Sequence, residues 1–542
     1  MSQWKWKTIG IFLSTVMLLN VVACSGNKDI ANSSVNSSND ISAESENLES
    51  ELKSDTVEST VIDESTGAEA SSKSTSSKRT GTSSRVIPGA DATIPTKAPS
   101  YKTQKTSGGT VIPVINTVKG KTITLLCVDY GQFDPNGSAN EYLKQYYGAT
   151  VKMTRVANDN VVPKFTAAVL SDTPFDLVAD CDGFPSLVAQ DLMQPLDNTI
   201  DFNIPEMAKN KEIFDAYVLK GHNYFLPWVR STRGLIYFNQ ELFEDENLDI
   251  DGDGKKGDTP YTLYQAGKWN MATFKKAAQQ MTQKNKKGEV TVYGLLARAW
   301  TDSKLVYASG QPIAKWNGKQ AVNNLNNSSY QRIYNDYVSL FLNDKVALRG
   351  DEFNSYGNFN KGMGAMLLAP SFCVNGDYFA DIFKTQNVGI APFPQDTNAS
   401  TYYVAGNAIG FYVSQGGMGS KGGKAINVDL LNAFINAALA SEIDKSTPGT
   451  TAYNETRDAF VKKWSAKNKK FTNAWYDEFQ VMQKSLREKT TNYVDPYGDC
   501  VDLNGNILDP MMGTGDVTPV NFTTAVNKAN GKLNAVLDTI NK

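Results

Sequence analysis

Apolar and polar positions alternate in a regular way after about residue 120, and the pattern predicts strands and helices in turn. An apolar run predicts a buried strand at 121–128, and further strands are predicted at 150–156 and 175–179. Amphipathic segments predict helices at 138–147, 161–170 and 185–191. This order predicts a parallel sheet with helices on both faces. The same reasoning predicts strands at 290–296, 388–392 and 402–413 and helices at 271–284, 330–343, 424–442, 452–466, 472–487 and 522–540.

The stretch from Tyr224 to Phe243 predicts a crossing between two structural units. Tyr224–Trp228 and Leu235–Phe238 are β-prone, and a polar break separates them. Asn239 is a typical helix N-cap before Gln240 and Glu241. A strand, a break and a strand that opens a helix suit a chain that passes from one lobe to another.

Five separate stretches carry a family resemblance. The segment GLIYFNQELF at 234–243 resembles the hinge of bacterial solute-binding proteins of the maltose-binding type. The other four stretches, which follow in the same order, are PYTLYQAGKWN (260–270), FNKGMGAM (359–366) with the residues up to 372, 388–394 and 402–413. Over about residues 119–542 the chain therefore resembles extracellular solute-binding protein family 1, of the sugar-binding lipoprotein type found in Gram-positive bacteria. The resemblance implies an α/β, two-lobe fold of the type II periplasmic-binding-protein class, in which each lobe has a mostly parallel sheet flanked by helices and a hinge joins them.

The sequence of the amino-terminal part predicts a signal peptide followed by a tether. Lys5 and Lys7 precede an apolar run, and Ala23-Cys24 follows it, which is typical of a signal peptide. The cysteine resembles the lipobox of bacterial lipoproteins and implies lipidation at Cys24 and anchoring to the outer face of the cytoplasmic membrane. An uncleaved anchor and an ordinary secretory signal are the alternatives.

Composition then divides the rest of the chain. A Ser/Thr-rich segment with few large apolar residues predicts a disordered tether. At 542 residues the chain is too long for one ordinary core. The predicted parts are a signal peptide at 1–23, the tether at 24–110, a first lobe at 111–229 plus about 404–442, and a second lobe at 234–400 plus about 443–542.

Charge and rare residues exclude several functions. The net charge of −3 argues against nucleic acid as a partner. His222 is the one histidine, which argues against His-rich metal sites and against catalysis by a Ser-His or Cys-His pair. The five cysteines form no Cys-x-x-Cys motif, which argues against zinc. Cys127 and Cys181 lie near strand ends, and two buried thiols are favoured over a disulfide.

An acidic, glycine-rich segment after residue 247 predicts a calcium loop. Carboxylates at alternate positions followed by Gly254 converge on a cation when glycine lets the chain turn. The twelfth position is Pro260, so the segment departs from an EF-hand and resembles the shortened calcium loops of some solute-binding proteins. A surface turn without an ion is the alternative. The predicted ligands of a structural Ca²⁺ are Asp249, Asp251, Asp253, Asp258 and the backbone carbonyl of Lys255.

The candidate ligand site consists of polar and aromatic residues that follow predicted strands. Sugars present hydroxyl groups at the rim and C–H patches on the faces, which carboxylates, amides and aromatic rings can match. An aromatic residue taken alone more often serves packing, but the resemblance implies ring-stacking roles for Trp228, Trp300 and Phe372. Arg230 is a candidate for binding a uronic acid carboxylate. The ten candidates are Tyr130, Asp180, Asp182, Trp228, Arg230, Trp300, Ser371, Phe372, Tyr403 and Asn407.

Three functional hypotheses remain. The first is a monomeric, non-enzymatic binding protein whose lobes close on a carbohydrate, such as an oligosaccharide, and deliver it to an ABC permease. The second is a glycan-active enzyme, which needs two carboxylates across the cleft. Asp180 and Asp182 come from one loop, and no acidic partner stands out in the second lobe. The third is a binder of peptides or a sensor subunit.

Overall fold

The computed structural model describes residues 94–128, 138–157, 160–180, 184–232, 234–299, 301–350, 352–370, 387–419, 426–466, 472–493, 495–498, 500–514 and 517–541. The strands of this part, in chain order, are β1 (Thr103–Lys105), β2 (Val111–Pro113), β3 (Thr122–Val128), β4 (Thr150–Val156), β5 (Leu177–Asp180), β6 (Val218–Leu219), β7 (His222–Asn223), β8 (Leu226–Thr232), β9 (Leu235–Asn239), β10 (Gln283–Lys284), β11 (Val290–Arg298), β12 (Ala314–Trp316), β13 (Ala321–Asn323), β14 (Ala347–Gly350), β15 (Gly364–Ala369), β16 (Val388–Pro392), β17 (Tyr402–Val413) and β18 (Thr490–Tyr493).

The helices of the described part surround these strands. They are α1 (Ser138–Tyr147), α2 (Val161–Leu170), α3 (Ser186–Ala189), α4 (Pro205–Ala208), α5 (Lys211–Ala216), α6 (Gln240–Glu246), α7 (Pro260–Gln265), α8 (Met271–Gln280), α9 (Ser328–Leu342), α10 (Glu352–Asn360), α11 (Val428–Ser446), α12 (Thr451–Ser465), α13 (Asn473–Lys489), α14 (Asp509–Met512) and α15 (Phe522–Ile540), with a 3₁₀-helix at Asp302–Ser309 and a π-helix at Asn504–Leu508. None of the helices described here has both the length and the apolar character that a membrane crossing requires.

Two six-stranded sheets define two lobes. The first sheet has the order β18-β17-β5-β3-β4, with β8 also paired to β17. Its strands β3, β4 and β5 are parallel, and β17 runs antiparallel to β5 and β8. The second sheet has the order β10-β11-β15-β9-β16, with β14 paired to β11. Strands β11, β14 and β15 are parallel, and β9 is antiparallel to both β15 and β16. We call the units built on these sheets the first and the second lobe.

Local sequence explains where many helices begin. Asn239 accepts a hydrogen bond from the Leu242 N–H at 3.1 Å, so its predicted role as the N-cap of α6 is confirmed. Thr259 and Asn270 form capping boxes at the starts of α7 and α8. Strand β15 is buried along its whole length, as an apolar run in the middle of a sheet requires.

Residues 94–118 form an ordered hairpin, here called the amino-terminal clasp, which lies along α11. Strands β1 and β2 pair antiparallel. The Tyr101 hydroxyl donates to Asp429 Oδ1 at 2.8 Å near the start of α11. Thr106 and Thr110 donate to the two oxygens of the buried Asp444, at 2.7 and 2.5 Å, near its end. The prediction of a disordered tether as far as residue 110 is therefore wrong for residues 94–110, since they bond to distant carboxylates.

Two further boundaries differ from the predictions. The helix predicted at 271–284 ends at Gln280, and Gln283–Lys284 instead form β10 against β11. The predicted boundaries place residues 490–493 in the second lobe, but β18 pairs with Tyr402–Ala405 of β17 and so extends the first sheet. Cys127 is buried, and its thiol lies 2.9 Å from Met153 Sδ; Cys181 is outside the described residues.

Candidate functional site

Two chain crossings, β8 to β9 and β16 to β17, bring the same edge of each sheet together. Strand β8 ends at Thr232 and β9 begins at Leu235, while β16 ends at Pro392 and β17 begins at Tyr402. Both crossings therefore connect the carboxyl edge of the first sheet, where β3 and β5 end, with the carboxyl edge of the second sheet, where β11 and β15 end. In α/β sheets, ligands bind at the carboxyl ends of the strands. The space between the two facing edges is the candidate ligand cleft.

The two crossings touch each other. A Cβ atom built on Gly234 would lie only 1.7 Å from Cζ of Phe393, so the Phe393 ring packs directly on the glycine backbone. Only glycine allows this close approach between the two connecting segments. The crossings thus form one packed hinge.

Three of the predicted site residues converge on a short part of β17. In the strand register, Asp180 at the end of β5 lies opposite Gly410, and Arg230 on β8 lies opposite Ala408. Asn407 is the next residue of β17. Positions 407–410 span about 10 Å of strand. The fold therefore gathers the backbones of Asp180, Arg230 and Asn407, which are far apart in sequence, at the carboxyl edge of the first sheet.

Trp228 has a packing position. Its side chain is 4% exposed and belongs to the hydrophobic core of the first lobe. Its ring centre lies 5.6 Å from that of Phe411 on the neighbouring strand. The indole is thus covered by the core and does not present an open face to the cleft, in contrast to the ring-stacking role that the resemblance implies.

Tyr403 lies where the lobes meet. It is half-buried on β17, opposite Thr491 of β18. Gly310 ends the 3₁₀-helix of the second lobe with φ +66°, and a Cβ on Gly310 would lie 2.6 Å from Cε2 of the tyrosine ring. Tyr403 therefore belongs to a strand of the first sheet while its ring contacts the second lobe.

The other candidates lie at least partly outside the described residues. For Asp180, Arg230 and Asn407 the structure describes the backbone alone. The predicted residues that lie outside it entirely are Tyr130, Asp182, Trp300, Ser371 and Phe372. His222 is placed on the β6–β7 hairpin, where its Nδ1 lies 3.1 Å from Asp197 Oδ2.

The structure adds an arginine that the sequence reasoning did not select. Arg298 is the last residue of β11, at the carboxyl edge of the second sheet, and is 4% exposed. Its Nη1 donates to the Tyr356 hydroxyl at 2.8 Å, and its guanidinium lies 5.5 Å from the centre of that ring. The signal in the sequence is a charged residue at the end of an apolar strand, two positions before the candidate Trp300.

The predicted calcium loop brings three of its carboxylates together. Oxygens of Asp249, Asp251 and Asp258 lie within 4.8 Å of one another. Asp258 Oδ2 accepts the N–H groups of Ile250 and Asp251 at 2.7 and 3.2 Å, which folds the loop back on itself. Asp253 is not part of this group of three. Clustered carboxylate oxygens are the donor set that Ca²⁺ prefers, so the residues present fit the ion.

A lysine supplies positive charge beside this loop. Lys268 Nζ lies 2.7 Å from Asp251 Oδ2 and 3.1 Å from Asp253 Oδ2. The Lys255 N–H and Lys268 lower the pKa of Asp253 to about 2. The hydrogen bond from Lys268 likewise lowers the pKa of Asp251, and the two aspartates raise the pKa of Lys268. All three groups therefore stay charged at neutral pH.

Comparison with known proteins identifies the family. The family model described as bacterial extracellular solute-binding protein matches residues 131–445, which is more than half of the chain. The chain belongs to this family, as the five sequence stretches predicted, and the protein therefore works outside the cytoplasm. Its fold is the predicted two-lobe, type II periplasmic-binding-protein-like α/β fold. No curated protein matches the sequence.

Solved structures share the architecture at low sequence identity. The galacto-N-biose-/lacto-N-biose I-binding protein of an ABC transporter from Bifidobacterium longum, in complex with lacto-N-biose, is 14% identical, covers 77% of this chain and 97% of its own, and has a TM-score of 0.50. The maltose/maltodextrin-binding domain MalE from Bdellovibrio bacteriovorus, bound to maltotriose, is 16% identical, with 76% and 99% covered and a TM-score of 0.46. UgpB from Mycobacterium tuberculosis, in complex with glycerophosphocholine, is 15% identical, with 77% and 98% covered and a TM-score of 0.48.

Proposed function

We propose that this protein captures a carbohydrate, specifically an oligosaccharide, between its two lobes and delivers it to the permease of an ABC transporter. It acts as a monomer without catalysing a reaction. A lipid on Cys24 holds it at the outer face of the cytoplasmic membrane of a Gram-positive bacterium, as the lipobox-like Val21-Val22-Ala23-Cys24 suggests.

The observation that carries the carbohydrate proposal is the convergence on β17. The backbones of Asp180, Arg230 and Asn407 lie within a short span of the cleft edge, and these residue types carry a carboxylate, a guanidinium and an amide. Tyr403 adds an aromatic ring at the junction of the lobes. This mixture suits the hydroxyl rim and the C–H faces of a sugar ring. The Bifidobacterium relative with lacto-N-biose supports the same ligand class.

We further propose that the loop at 249–258 holds a structural Ca²⁺. The three neighbouring carboxylates are its ligands, and Asp253 and the Lys255 carbonyl remain candidates to complete the set. Lys268 already balances part of the negative charge. The ion would replace this lysine at Asp251 and tie the end of α6 to the start of α7.

The test is thermal unfolding of the complete mature chain against a panel of neutral and acidic oligosaccharides, with Ca²⁺ and with chelator. A ligand at a hundred times its Kd stabilises by about 2.7 kcal/mol, which shifts the midpoint measurably. We expect a shift with one glycan class that Tyr403→Ala reduces. Tyr293→Ala is the matched control, because Tyr293 is also half-buried but lies towards the other end of β11, away from the carboxyl edge.

The outcomes separate the hypotheses. A shift with peptides and with no sugar would replace the carbohydrate proposal by a peptide binder, and release of a reporter glycoside would indicate an enzyme. A midpoint that chelator lowers in wild-type protein, but not in Asp258→Ala, supports the calcium proposal. An unchanged midpoint in chelator would refute it.

A further inference from the structure

A short segment between β18 of the first sheet and the π-helix of the second lobe contacts both lobes, at a place separate from the β8–β9 and β16–β17 crossings. The segment is residues 495–498, here called the latch, and it follows β18. Tyr497 is its tip and is only 4% exposed. Its hydroxyl donates to the Val218 carbonyl of the first lobe at 3.3 Å. Its ring stands edge-on to Phe184 at 5.9 Å between ring centres.

The base of the latch is fixed to the second lobe. Asp495 Oδ2 accepts the Ile313 N–H at 2.7 Å, and Asp495 Oδ1 accepts the Tyr497 N–H at 3.0 Å. Gly498 lies close to the Tyr307 hydroxyl, since a Cβ on this glycine would come within 2.9 Å of it. These contacts hold the backbone of the turn, so the position of Tyr497 follows the second lobe.

The receiving surface belongs to the first lobe and is aromatic. Phe184 lies 5.0 Å from Tyr217, and Tyr217 stacks on Phe225 at 4.2 Å. Phe225 in turn lies 5.2 Å from Tyr412 on β17. Tyr497 thus joins the end of a row of rings that runs into the core of the first lobe.

The location of this contact relates it to the cleft. Phe184 comes shortly after the carboxyl end of β5, at the edge that borders the cleft. Beside it, α15 of the second lobe lies against α3 of the first. The hydrogen bond and the ring contact join Tyr497 to the first lobe without a covalent link, so a movement of that lobe away from the second lobe has to break both.

We propose that Tyr497 is a releasable latch between the lobes: it holds the arrangement in which the lobes touch, and it must leave the Phe184–Val218 surface before they swing apart. The latch goes beyond the proposed capture of a carbohydrate, because it acts in the protein without ligand. It sets how much of the population is open before a ligand arrives.

Hydrogen exchange followed by mass spectrometry on the complete mature chain tests the latch without any ligand. In Tyr497→Ala, we expect exchange in peptides covering 184–192 and 217–224 to accelerate by about tenfold, because these first-lobe amides lose their cover. Peptides covering α1 in the same lobe should keep their wild-type rates. Tyr497→Phe removes only the hydroxyl and should give a smaller effect at 217–224.

The matched control is Tyr453→Ala, which removes a buried tyrosine whose hydroxyl donates to Asp477 at 2.9 Å, between α12 and α13. We expect it to leave exchange at 184–192 and 217–224 unchanged. Small-angle scattering should show a larger radius of gyration for Tyr497→Ala than for Tyr453→Ala. Unchanged first-lobe exchange in folded Tyr497→Ala would overturn the proposal. Faster exchange throughout the first lobe, α1 included, would also overturn it, since it indicates a general packing role.

Discussion

Asp444 is the residue on which the amino-terminal clasp depends most. Its carboxylate is buried and accepts three hydroxyl donors, from Thr106, Thr110 and Tyr142, at 2.7, 2.5 and 2.8 Å. Asp444→Ala removes the acceptor for all three donors. Gly108 packs directly against this carboxyl group, so the hairpin tip also loses a contact.

The expected loss follows from these bonds. Hydrogen bonds to a charged group contribute about 1.5–3 kcal/mol each, and neighbouring bonds are not additive. We therefore expect Asp444→Ala to lower the free energy of unfolding by about 3–5 kcal/mol. Asp444→Asn keeps the size and one acceptor oxygen, so about half of this loss is expected.

Urea unfolding at neutral pH measures the effect, and limited proteolysis reports whether residues 103–113 become accessible. Asp538→Ala, which changes an exposed acid on α15, is the control and should stay within about 0.5 kcal/mol of wild type. A loss below about 1 kcal/mol for Asp444→Ala, with the hairpin still protected, would refute the reasoning.

Three other substitutions test the described packing and charge. Burial raises the pKa of Glu442 to about 7, so the folded state binds more protons than the unfolded state, and the free energy of unfolding falls as pH rises from about 4.5 to 7. Glu442→Gln should flatten this part of the stability profile measured by urea unfolding, and an unchanged slope would contradict the raised pKa of Glu442. Asp302→Ala removes one carboxylate partner of the Arg349 guanidinium at 2.5 Å, while Asp509 stays paired with it. We expect a cost of about 1.5–3 kcal/mol in chemical unfolding, with a loss under about 0.5 kcal/mol as the contrary result. Gly410→Ala puts a Cβ 2.2 Å from the Leu226 carbonyl oxygen, so β8 and β17 must separate. We expect the free energy of unfolding to fall by at least about 2 kcal/mol and the thermal midpoint to drop, and an unchanged midpoint would show that the two strands can move apart without loss of stability.

Several strands of the first sheet were predictable from local patterns, since β3 is an apolar run and β4 has a partly alternating sequence. The predicted segments 121–128, 150–156 and 402–413 agree with β3, β4 and β17 to within one residue. Helices α1 and α2 also agree, since their apolar positions recur at helical spacing. Such patterns depend only on residues that are close in sequence, so the strands and helices that they form can be predicted without knowledge of the tertiary structure.

The clasp and the latch depend instead on contacts between distant residues. Thr106 and Asp444 are 338 positions apart, and Tyr497 and Val218 are 279 apart. A polar segment such as 94–110 carries no apolar periodicity, so nothing local distinguishes it from a tether. The burial of Trp228 is also not predictable from local sequence, because the register between β8 and β17 decides which face of β8 points into the core.

The clasp also determines how the protein responds to a mechanical load. Tension applied from the amino-terminal side of residue 94 reaches the Tyr101 bonds to Asp201 and Asp429 before it reaches β3. The hydrogen bonds to Asp444 lie about 22 Å further along α11, at the rise of 1.5 Å per residue. Because the attachments are spread over the length of this helix, the hairpin has to be peeled away before β3 bears any force. The clasp therefore protects the first sheet against unfolding when the chain is pulled from that end.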